Sequence, residues 1–340
     1  MPAIENYRPT YDFGRSYRYH YFRLKQNGRK VYLAIDGALK KGLDSITIRD
    51  NKEFSDKVLL DILMGVLYDN WHFFYVRPQL TFVTFAGRKE LRFHYNDYYN
   101  NRDMYLQRLE SLSKTLFESL FWACTSPYET ELTIYDYLTC SVEYELSDQS
   151  YVHTMIGPLL YGKGLCEGIS QAFEMLCCCF GLNVSRISGI LDGTPHSWNV
   201  IEYEGKLYHS DVTNDLENQT HRYFNRNDSA IGKTHSRFVG ISPYEELQTY
   251  YNQNNTSFKT TKDLERYLNT VKTFTNDCFE FQIQEYSTLD DISRLVSRSL
   301  RREFKIVTIL GCYKVLFAGY KKRFTIIHNE NEINQNCLCW

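Results

Sequence analysis

The stretch of sequence that decides the fold runs over residues 162–181 and reads Gly-Lys-Gly-Leu-Cys-Glu-Gly-Ile-Ser-Gln-Ala-Phe-Glu-Met-Leu-Cys-Cys-Cys-Phe-Gly. Gly181 stands where a left-handed residue commonly ends a helix. The apolar residues before it recur at the spacing of one helix face, which is formed by Ile169, Phe173, Leu176, Cys177 and Phe180. The pattern predicts a buried helix over residues 166–180 that begins at a cysteine.

Cys166 lies in the first turn of this predicted helix, with Gly164 before it and Gly168 after it. The unpaired N–H groups and the dipole at a helix start favour a thiolate over a thiol and can bind an oxyanion. Glycines beside a thiol let a substrate backbone approach closely. Because free cysteines are commonly buried and inert, this position indicates a nucleophile only if a base lies nearby.

A hairpin downstream offers the base. Residues 184–190, 197–203 and 206–212 are rich in strand-forming side chains and predict three strands. His196 opens the second strand after the turn 192–195, whose proline is expected to place the imidazole at the rim of the sheet. Asp211 lies on the third strand, in Tyr-His-Ser-Asp-Val-Thr.

The register of this hairpin brings the histidine and the aspartate together. A two-residue turn at Glu204-Gly205 would place Trp198 opposite Asp211 and Thr213 opposite His196. His196 and Asp211 are then diagonal neighbours on one face, about 7–8 Å apart at the backbone and within side-chain reach. A shift of one residue would separate them. The sequence therefore predicts a nucleophile, a base and a carboxylate that orients the base.

These residues resemble the transglutaminase-like superfamily, a papain-related class of domains. The resemblance covers about residues 105–225, and Tyr135-Asp136-Tyr137 and Tyr144-Glu145 are similar to the segment that leads into it. Ser210 and Asn214 depart from the pattern, because aromatic or hydrophobic residues are common at those places. The motifs follow in the order Gly164-Leu165-Cys166-Glu167-Gly168, Gln171-Ala172-Phe173, Gly181-Leu182, Ser188-Gly189, His196-Ser197-Trp198-Asn199 and Tyr208-His209-Ser210-Asp211-Val212-Thr213 with Asp215.

The resemblance implies an α+β fold in which the helix bearing the nucleophile packs on an antiparallel sheet. Small α+β units flank this core, as in some bacterial proteins. Cys166 would be the nucleophile, His196 the general base and acid, and Asp211 the orienting group of a Cys–His–Asp triad. A thioester would form from an amide or ester and pass to water or to an amine. The resemblance implies no cofactor and no metal.

Other residues receive more limited expectations. Trp198 is similar to an aromatic residue that packs beside the triad, and together with Tyr161 and Gly164 it is expected to contact the substrate. The sequence does not fix the second donor to the oxyanion, and Tyr151 and Tyr161 are only two of the side chains that could supply it. Four further polar residues are expected on the surface or in support of the site, and they are Glu167, His209, His221 and His235.

The chain is expected to divide into three units. Residues 1–104 would form an N-terminal α+β unit, residues 105–270 the catalytic domain and residues 271–340 a small C-terminal α+β module. The clearest N-terminal feature is a hairpin of strands 80–85 and 90–95 around a glycine. Further predicted elements are helices near 29–41, 57–68, 101–124, 129–140, 263–270 and 289–301, strands at 45–49, 72–77, 279–283, 305–310 and 313–318, and a loop over 145–164.

The composition excludes several classes of partner. With 340 residues, 43% of them hydrophobic, and a formal net charge of -2, the chain has no strong positive field that would attract nucleic acid or an anionic membrane.

The first residues lack a basic and an apolar segment, so a cytoplasmic location is expected. Ten cysteines without a paired framework are expected to be reduced. A zinc site is not expected, because neither the consecutive cysteines 177–179 nor the isolated Cys337 and Cys339 provide two convergent pairs of ligands.

The leading functional hypothesis is hydrolysis of a peptide or isopeptide-type amide in a protein or peptide substrate. Cross-linking of Gln to Lys amines is the alternative within the enzymes, because the sequence does not decide whether water or an amine reaches the thioester. A non-catalytic peptide-binding module is the alternative outside them. Deglycosylation by a related zinc enzyme is disfavoured, since paired Cys-x-x-Cys ligands are absent from the sequence. The oligomeric state is left open.

Overall fold

The protein alternates short helices with mainly antiparallel strands. The structure, a computed structural model, describes residues 7–50, 53–120, 124–245, 248–270, 278–300, 304–309 and 312–317. Its helices are α1 (Tyr19–Arg23), α2 (Gln26–Lys40), α3 (Asp56–Tyr68), α4 (Arg102–Leu120), α5 (Pro127–Ser141), α6 (Cys166–Cys179), α7 (Val212–Asp215), α8 (Asp228–Ile231), α9 (Tyr250–Gln253), α10 (Thr261–Thr270) and α11 (Leu289–Ser299). Its strands are β1 (Ser45–Arg49), β2 (Val76–Phe85), β3 (Arg88–Tyr95), β4 (Glu143–Tyr144), β5 (Lys163–Gly164), β6 (Asn183–Leu191), β7 (Thr194–Tyr203), β8 (Lys206–Ser210), β9 (His235–Ser236), β10 (Ser257–Phe258), β11 (Cys278–Ile283), β12 (Phe304–Ile309) and β13 (Cys312–Phe317).

The central sheet has the order β8-β7-β6-β9 and is antiparallel throughout. Two tight turns, Asp192-Gly193 and Glu204-Gly205, connect its first three strands. All four turn residues have positive φ, which matches the twist of two-residue hairpins. Asn199 pairs with Ser210, in the register that the sequence predicts.

Helix α6 packs on one face of this sheet, against β6 and β7. Its apolar face is fully buried, as the helical spacing predicts. Gly181 ends the helix at φ 93°, where its N–H bonds to the Cys178 carbonyl at 3.1 Å and that of Leu182 bonds to the Cys177 carbonyl at 2.9 Å. This pair of bonds is the Schellman motif, in which a left-handed glycine satisfies the last carbonyls. The α+β class with a helix on an antiparallel sheet is therefore confirmed.

The N-terminal region supplies a second sheet, of order β1-β3-β2, against which α2 and α3 pack. The predicted hairpin is confirmed, but its turn has two residues, Ala86 and Gly87, and both have positive φ. One hydrophobic core runs without a break from α2 and α3 to α6 and the central sheet. The N-terminal unit is thus packed as part of the same body as the helix that carries Cys166.

The C-terminal module has a sheet of order β10-β11-β13-β12 and a separate core. Phe258, Leu264 and Leu268 belong to that core. Strand β10 and helix α10 precede residue 271, within the range expected for the catalytic domain, but their apolar side chains pack in the core of this module. The last expected residues of its helix and of its last two strands, which are 301, 310 and 318, lie outside the described residues. So do Cys337 and Cys339.

Three expected elements differ from the observed ones. Residues 71–73 form a short 3-10 helix before β2 begins at Val76, so the strand expected at 72–77 starts later. The loop expected over 145–164 contains helical turns at Ser150–His153 and Gly157–Tyr161 and ends in β5. The strand expected to reach residue 212 ends at Ser210, because Asp211 caps α7; Thr213 therefore lies in a helix and does not pair with His196.

Candidate active site

Cys166 is the first residue of α6 and is partly exposed. Leu165, at the N-cap position, provides no side-chain cap to the first turn. The segment 152–156 packs against this turn, and Gln171 accepts a hydrogen bond from the Met155 N–H at 2.9 Å. A Cβ atom on Gly168 would lie 2.4 Å from the Val152 carbonyl oxygen, so the close approach requires glycine. The sulfur is therefore held at a helix start whose N–H groups have no side-chain cap.

His196 is carried by β7, where it faces Gly189 on β6. The turn before it is shorter than expected: Thr194 and Pro195 belong to β7 and pair with β6. The proline is tolerated because β8 pairs with β7 only from Asn199 onward. The imidazole Nε2 lies 2.9 Å from Asp211 Oδ2, and the ring lies close enough to Cys166 for the two groups to interact electrostatically. His196 is thus bonded to Asp211 and lies beside Cys166.

Asp211 leaves the strand at φ -125° and ψ 90° and caps α7, whose Asn214 N–H bonds to Oδ1 at 3.4 Å. Its other oxygen, Oδ2, accepts from three side chains: His196 Nε2 at 2.9 Å, His235 Nε2 at 3.0 Å and Asn214 Nδ2 at 2.7 Å. The carboxylate is only 1% exposed. A buried carboxylate with this many donors is held in one orientation.

The charges of the histidine and the aspartate stabilise each other. Burial lowers the pKa of His196, but the Asp211 charge and hydrogen bond and the contact with Cys166 outweigh it and raise that pKa to about 10. Burial raises the pKa of Asp211, but the charge and hydrogen bond of His196, with those of His235, bring it well below its ordinary value. The pair therefore favours an imidazolium beside a carboxylate, which is the state that a thiolate partner needs.

Trp198 fixes the imidazole from behind. Its ring stacks on His196 with centroids 5.9 Å apart and an interplanar angle of 16°. Its Nε1 donates to His209 Nδ1 at 3.0 Å, and His209 Nε2 donates to Asp228 Oδ1 at 2.9 Å. Burial lowers the pKa of His209, so this ring is neutral and its Nδ1 can accept. Trp198 is fully buried and is not among the residues that line the cleft.

A cleft of about 580 Å³ opens beside the sulfur. Helix α3 of the N-terminal region contributes Met64 and Tyr68 to one wall, and β6 contributes residues 188–190 to another. Arg237 and Glu167 lie at its polar edges. Residues remote from the triad in sequence therefore form much of the surface that a substrate would touch.

Tyr144 is a site residue that sequence reasoning assigned only to the lead-in of the motif. Strand β4 pairs in parallel with β5, so that Tyr144 lies beside Gly164, two residues before the nucleophile. Its hydroxyl interacts electrostatically with Cys166, and Tyr144 lines the cleft. Burial, followed by the charges of Cys166 and Asp211, raises the pKa of Tyr144, so the hydroxyl remains a donor at neutral pH. A two-residue strand has no periodicity that could have revealed this position.

Tyr151, Tyr161 and Gly164 have contacts with residues other than Cys166, His196 and Asp211. Tyr151 donates to Glu145 at 2.6 Å, and Tyr161 makes a hydrogen bond with Tyr105. Neither they nor Gly164 are among the residues that line the cleft. Gly164 is buried against Pro158, which a Cβ atom would approach to 2.7 Å.

The four polar residues expected on the surface or in support have different environments. Glu167 lines the cleft and lies 3.6 Å from His153. His209, His221 and His235 are all buried, and each has a carboxylate partner. The burial of these three histidines fits the expected supporting role and rules out the expected surface position.

Within the described part of the chain, one group of side chains could hold a metal ion. One ligand atom from each of His196, Asp211 and His235 lies within 4.8 Å of the others. The same atoms already bond to one another at 2.9 Å and 3.0 Å. None of the helices in the described ranges is both long and apolar enough to cross a membrane.

Comparison with known proteins gives structural likenesses only, since no family model and no curated protein sequence matches the chain. It is similar to a candidate cysteine protease from Cytophaga hutchinsonii, at 12% identity and a TM-score of 0.28, over 40% of this chain and 61% of that one. It is similar to a TGase, at 15% identity and a TM-score of 0.27, over 50% of each chain. It is also similar to a candidate protease from Parabacteroides distasonis, at 10% identity and a TM-score of 0.26, over 71% of this chain and 61% of that one.

The chain spans between half and about three fifths of the length of these three proteins. The chain is an α+β protein in which the His196 imidazole bonds to Asp211 and lies beside Cys166.

Proposed function

We propose that the protein is a thiol-dependent acyl-transfer enzyme that hydrolyses a peptide or isopeptide-type amide. The observation that carries the proposal is the hydrogen bond between His196 and Asp211, with Cys166 beside the same imidazole in an open cleft. Since Nε2 is bonded to the carboxylate, Nδ1 is the nitrogen that serves the thiol. This is the nucleophile, base and orienting group of cysteine catalysis.

The reaction would begin with transfer of the thiol proton to His196 Nδ1. The thiolate attacks the carbonyl carbon, the C–S bond forms, and the carbonyl electron pair moves onto oxygen. The backbone N–H groups at the start of α6 and the Tyr144 hydroxyl can donate to this oxyanion. When the oxyanion collapses, the C–N bond breaks and the imidazolium gives its proton to the leaving amine. Water, deprotonated by His196, then attacks the thioester and releases the acid and the thiol.

A mixture of labelled amine and a Gln-containing peptide would separate hydrolysis from amine transfer. Hydrolysis is expected to release the free acid with little incorporation of the amine. Dominant incorporation would instead support Gln–Lys cross-linking, which uses the same thioester. The Cys166→Ser variant is the control for both products, because a serine at this position lacks the acidity of a thiol.

Alkylation by iodoacetamide tests the thiol itself. We expect Cys166 to be alkylated at pH values where an ordinary thiol is protonated, and this reaction to disappear in His196→Ala. Cys278, which is also partly exposed, provides a comparison within the same molecule when the modified peptides are measured by mass spectrometry. Equal pH profiles for the two cysteines would reject the enzyme and favour a peptide-binding module.

A further inference from the structure

A second imidazole bonds to the carboxylate of the triad. We propose that His235 is a positioning residue that holds Asp211 in the orientation that faces His196. Its hydrogen bond to Asp211 also weakens the attraction between the Asp211 carboxylate and the proton of His196. The inference rests on the proposed function, because it concerns the same three groups. It also assigns a role to a residue that the resemblance does not include.

The hydrogen bonds of Asp211 show why His235 matters. Oδ2 receives donors from His196 at 2.9 Å and from His235 at 3.0 Å, and both donors are Nε2 atoms. Each donor withdraws electron density from the same oxygen, so the bond from His235 weakens the attraction between Asp211 and the His196 proton. A carboxylate bonded on several sides also cannot rotate away from the imidazole.

Strand β9 places His235 with little freedom. It pairs with the end of β6, where His235 faces Leu191. The ring is fully buried, packs edge-on to Trp198 with centroids 4.8 Å apart, and lies 5.7 Å from the Tyr223 ring. Gly189 makes the close approach of β9 possible, because a Cβ atom there would lie 2.6 Å from the Ser236 carbonyl oxygen. The absence of a side chain at Gly189 thus allows β9 to pack beside Asp211 and His196.

Thr234 supports the donor tautomer of His235. Its Oγ1 lies 2.9 Å from His235 Nδ1, so the hydroxyl provides a partner for this nitrogen while Nε2 donates to Asp211. All polar atoms of the His235 ring are therefore bonded. Other titratable groups face the Asp211–His196–His235 cluster from neighbouring elements, and they are Cys166, Tyr144, Tyr135, His209, Tyr223 and Arg237.

The test compares two substitutions of His235 with Asp211→Asn. His235→Leu keeps an apolar volume but removes the donor, and His235→Gln keeps an N–H near the position of Nε2. We expect amide hydrolysis to fall at least about tenfold in His235→Leu, as for loss of a hydrogen bond to a charged group, and to recover largely in His235→Gln. The readout is kcat/KM as a function of pH, together with alkylation of Cys166.

The direction of the pH shift distinguishes positioning from a structural role. In His235→Leu the Asp211 carboxylate loses one donor and therefore interacts more strongly with the His196 imidazolium. The alkaline limb of the kcat/KM profile, which reports the loss of the imidazolium proton, is then expected to move to higher pH. In Asp211→Asn the same limb moves to lower pH. Equal losses at every pH in His235→Leu, with both limbs unmoved, would overturn the proposal. So would a His235→Gln variant that behaves like His235→Leu.

A measurement on the natural chain keeps the test valid if His235→Leu fails to fold. In protein labelled with ¹⁵N-histidine, NMR should find the proton of His235 on Nε2, whether or not the chain is an active enzyme. A proton on Nδ1 alone would overturn the proposal. Stoichiometric Zn²⁺ binding that His235→Gln weakens would also overturn it, because these groups would then be ligands. A Cys166 with ordinary reactivity would reject the proposed function and leave the NMR result standing.

Discussion

At the scale of single residues, Tyr144 could act on the reaction in two ways: its hydroxyl could donate to the oxyanion, or it could change the reactivity of the Cys166 thiol. If its hydroxyl donates to the oxyanion, Tyr144→Phe should lower the rate of amide hydrolysis by about 10²–10³-fold, the usual effect of losing one such donor. Alkylation of Cys166 by iodoacetamide forms no oxyanion and should change much less. Steady-state kinetics and mass spectrometry measure the two effects. Tyr161→Phe is the matched control, because its hydroxyl bonds to Tyr105 away from the cleft.

Gly168 tests how tightly the start of α6 is held. An added methyl group would meet the carbonyl oxygens of Val152 and Thr154 at 2.4 and 2.7 Å. We expect Gly168→Ala to lower the free energy of unfolding by about 1–3 kcal/mol, as overpacking commonly does, and to displace Cys166. Gly37→Ala is the control, since that helical glycine has no neighbour within 4 Å and alanine should stabilise it by up to about 1 kcal/mol. If urea unfolding gave both variants the same sign, the packing argument would fail.

At the scale of elements, a buried ion pair fastens α6 to the sheet. Glu174 on α6 and Arg186 on β6 meet at 2.6 Å with side chains no more than 4% exposed. Arg186 also donates to the Leu67 carbonyl and covers the ring of Tyr68, both at the end of α3. The pair therefore joins the helix that carries Cys166, the central sheet and a wall of the cleft.

Removal of one member of this pair should be costly. We expect Arg186→Met to lower the free energy of unfolding by about 3–5 kcal/mol, because it leaves the buried Glu174 carboxyl group without its partner. The double variant with Glu174→Leu should be more stable than Arg186→Met. A double-mutant cycle from urea denaturation measures the coupling, and additive losses would show that the two side chains act independently.

The elements also explain which parts of the site the sequence predicts. Cys166, His196 and Asp211 lie at a helix start and on a single hairpin, where local turn residues and strand register determine the geometry. Tyr144 and His235 reach the site on strands of two residues, and such strands have no hydrophobic period. Their partners are β5 and β6, distant in sequence, so only tertiary packing determines their positions.

At the scale of the whole molecule, a buried cluster joins the C-terminal module to the domain that carries the triad. His221 lies 2.7 Å from Asp136 and 3.2 Å from Glu280 of β11, and Lys314 of β13 lies 3.2 Å from Glu280. Burial lowers the pKa of His221, but Glu280 and Asp136 raise it to about 10. Burial raises the pKa of Glu280, but His221 and Lys314 lower it to about 2.

The cluster should make stability depend on pH in both directions. The contribution of Glu280 is complete above its ordinary pKa of 4.5 and is lost as the pH falls toward 2. The contribution of His221 is complete below its ordinary pKa of 6.5 and is lost as the pH rises through about 10. The difference in urea midpoint between the natural chain and His221→Gln should therefore be largest between pH 4.5 and 6.5. A difference that stays constant from pH 3 to pH 10 would contradict this account.

The unbroken core between the N-terminal region and α6 limits how the protein can be shortened. A fragment that starts at residue 105 would retain the whole nucleophile, base and carboxylate set, yet it would expose the apolar surface that α2 and α3 cover. It would also lose Met64 and Tyr68 from the cleft. Excision of the motif-bearing segment alone is thus expected to give an aggregating peptide, and any transplant of this chemistry into another scaffold must carry its N-terminal neighbour along.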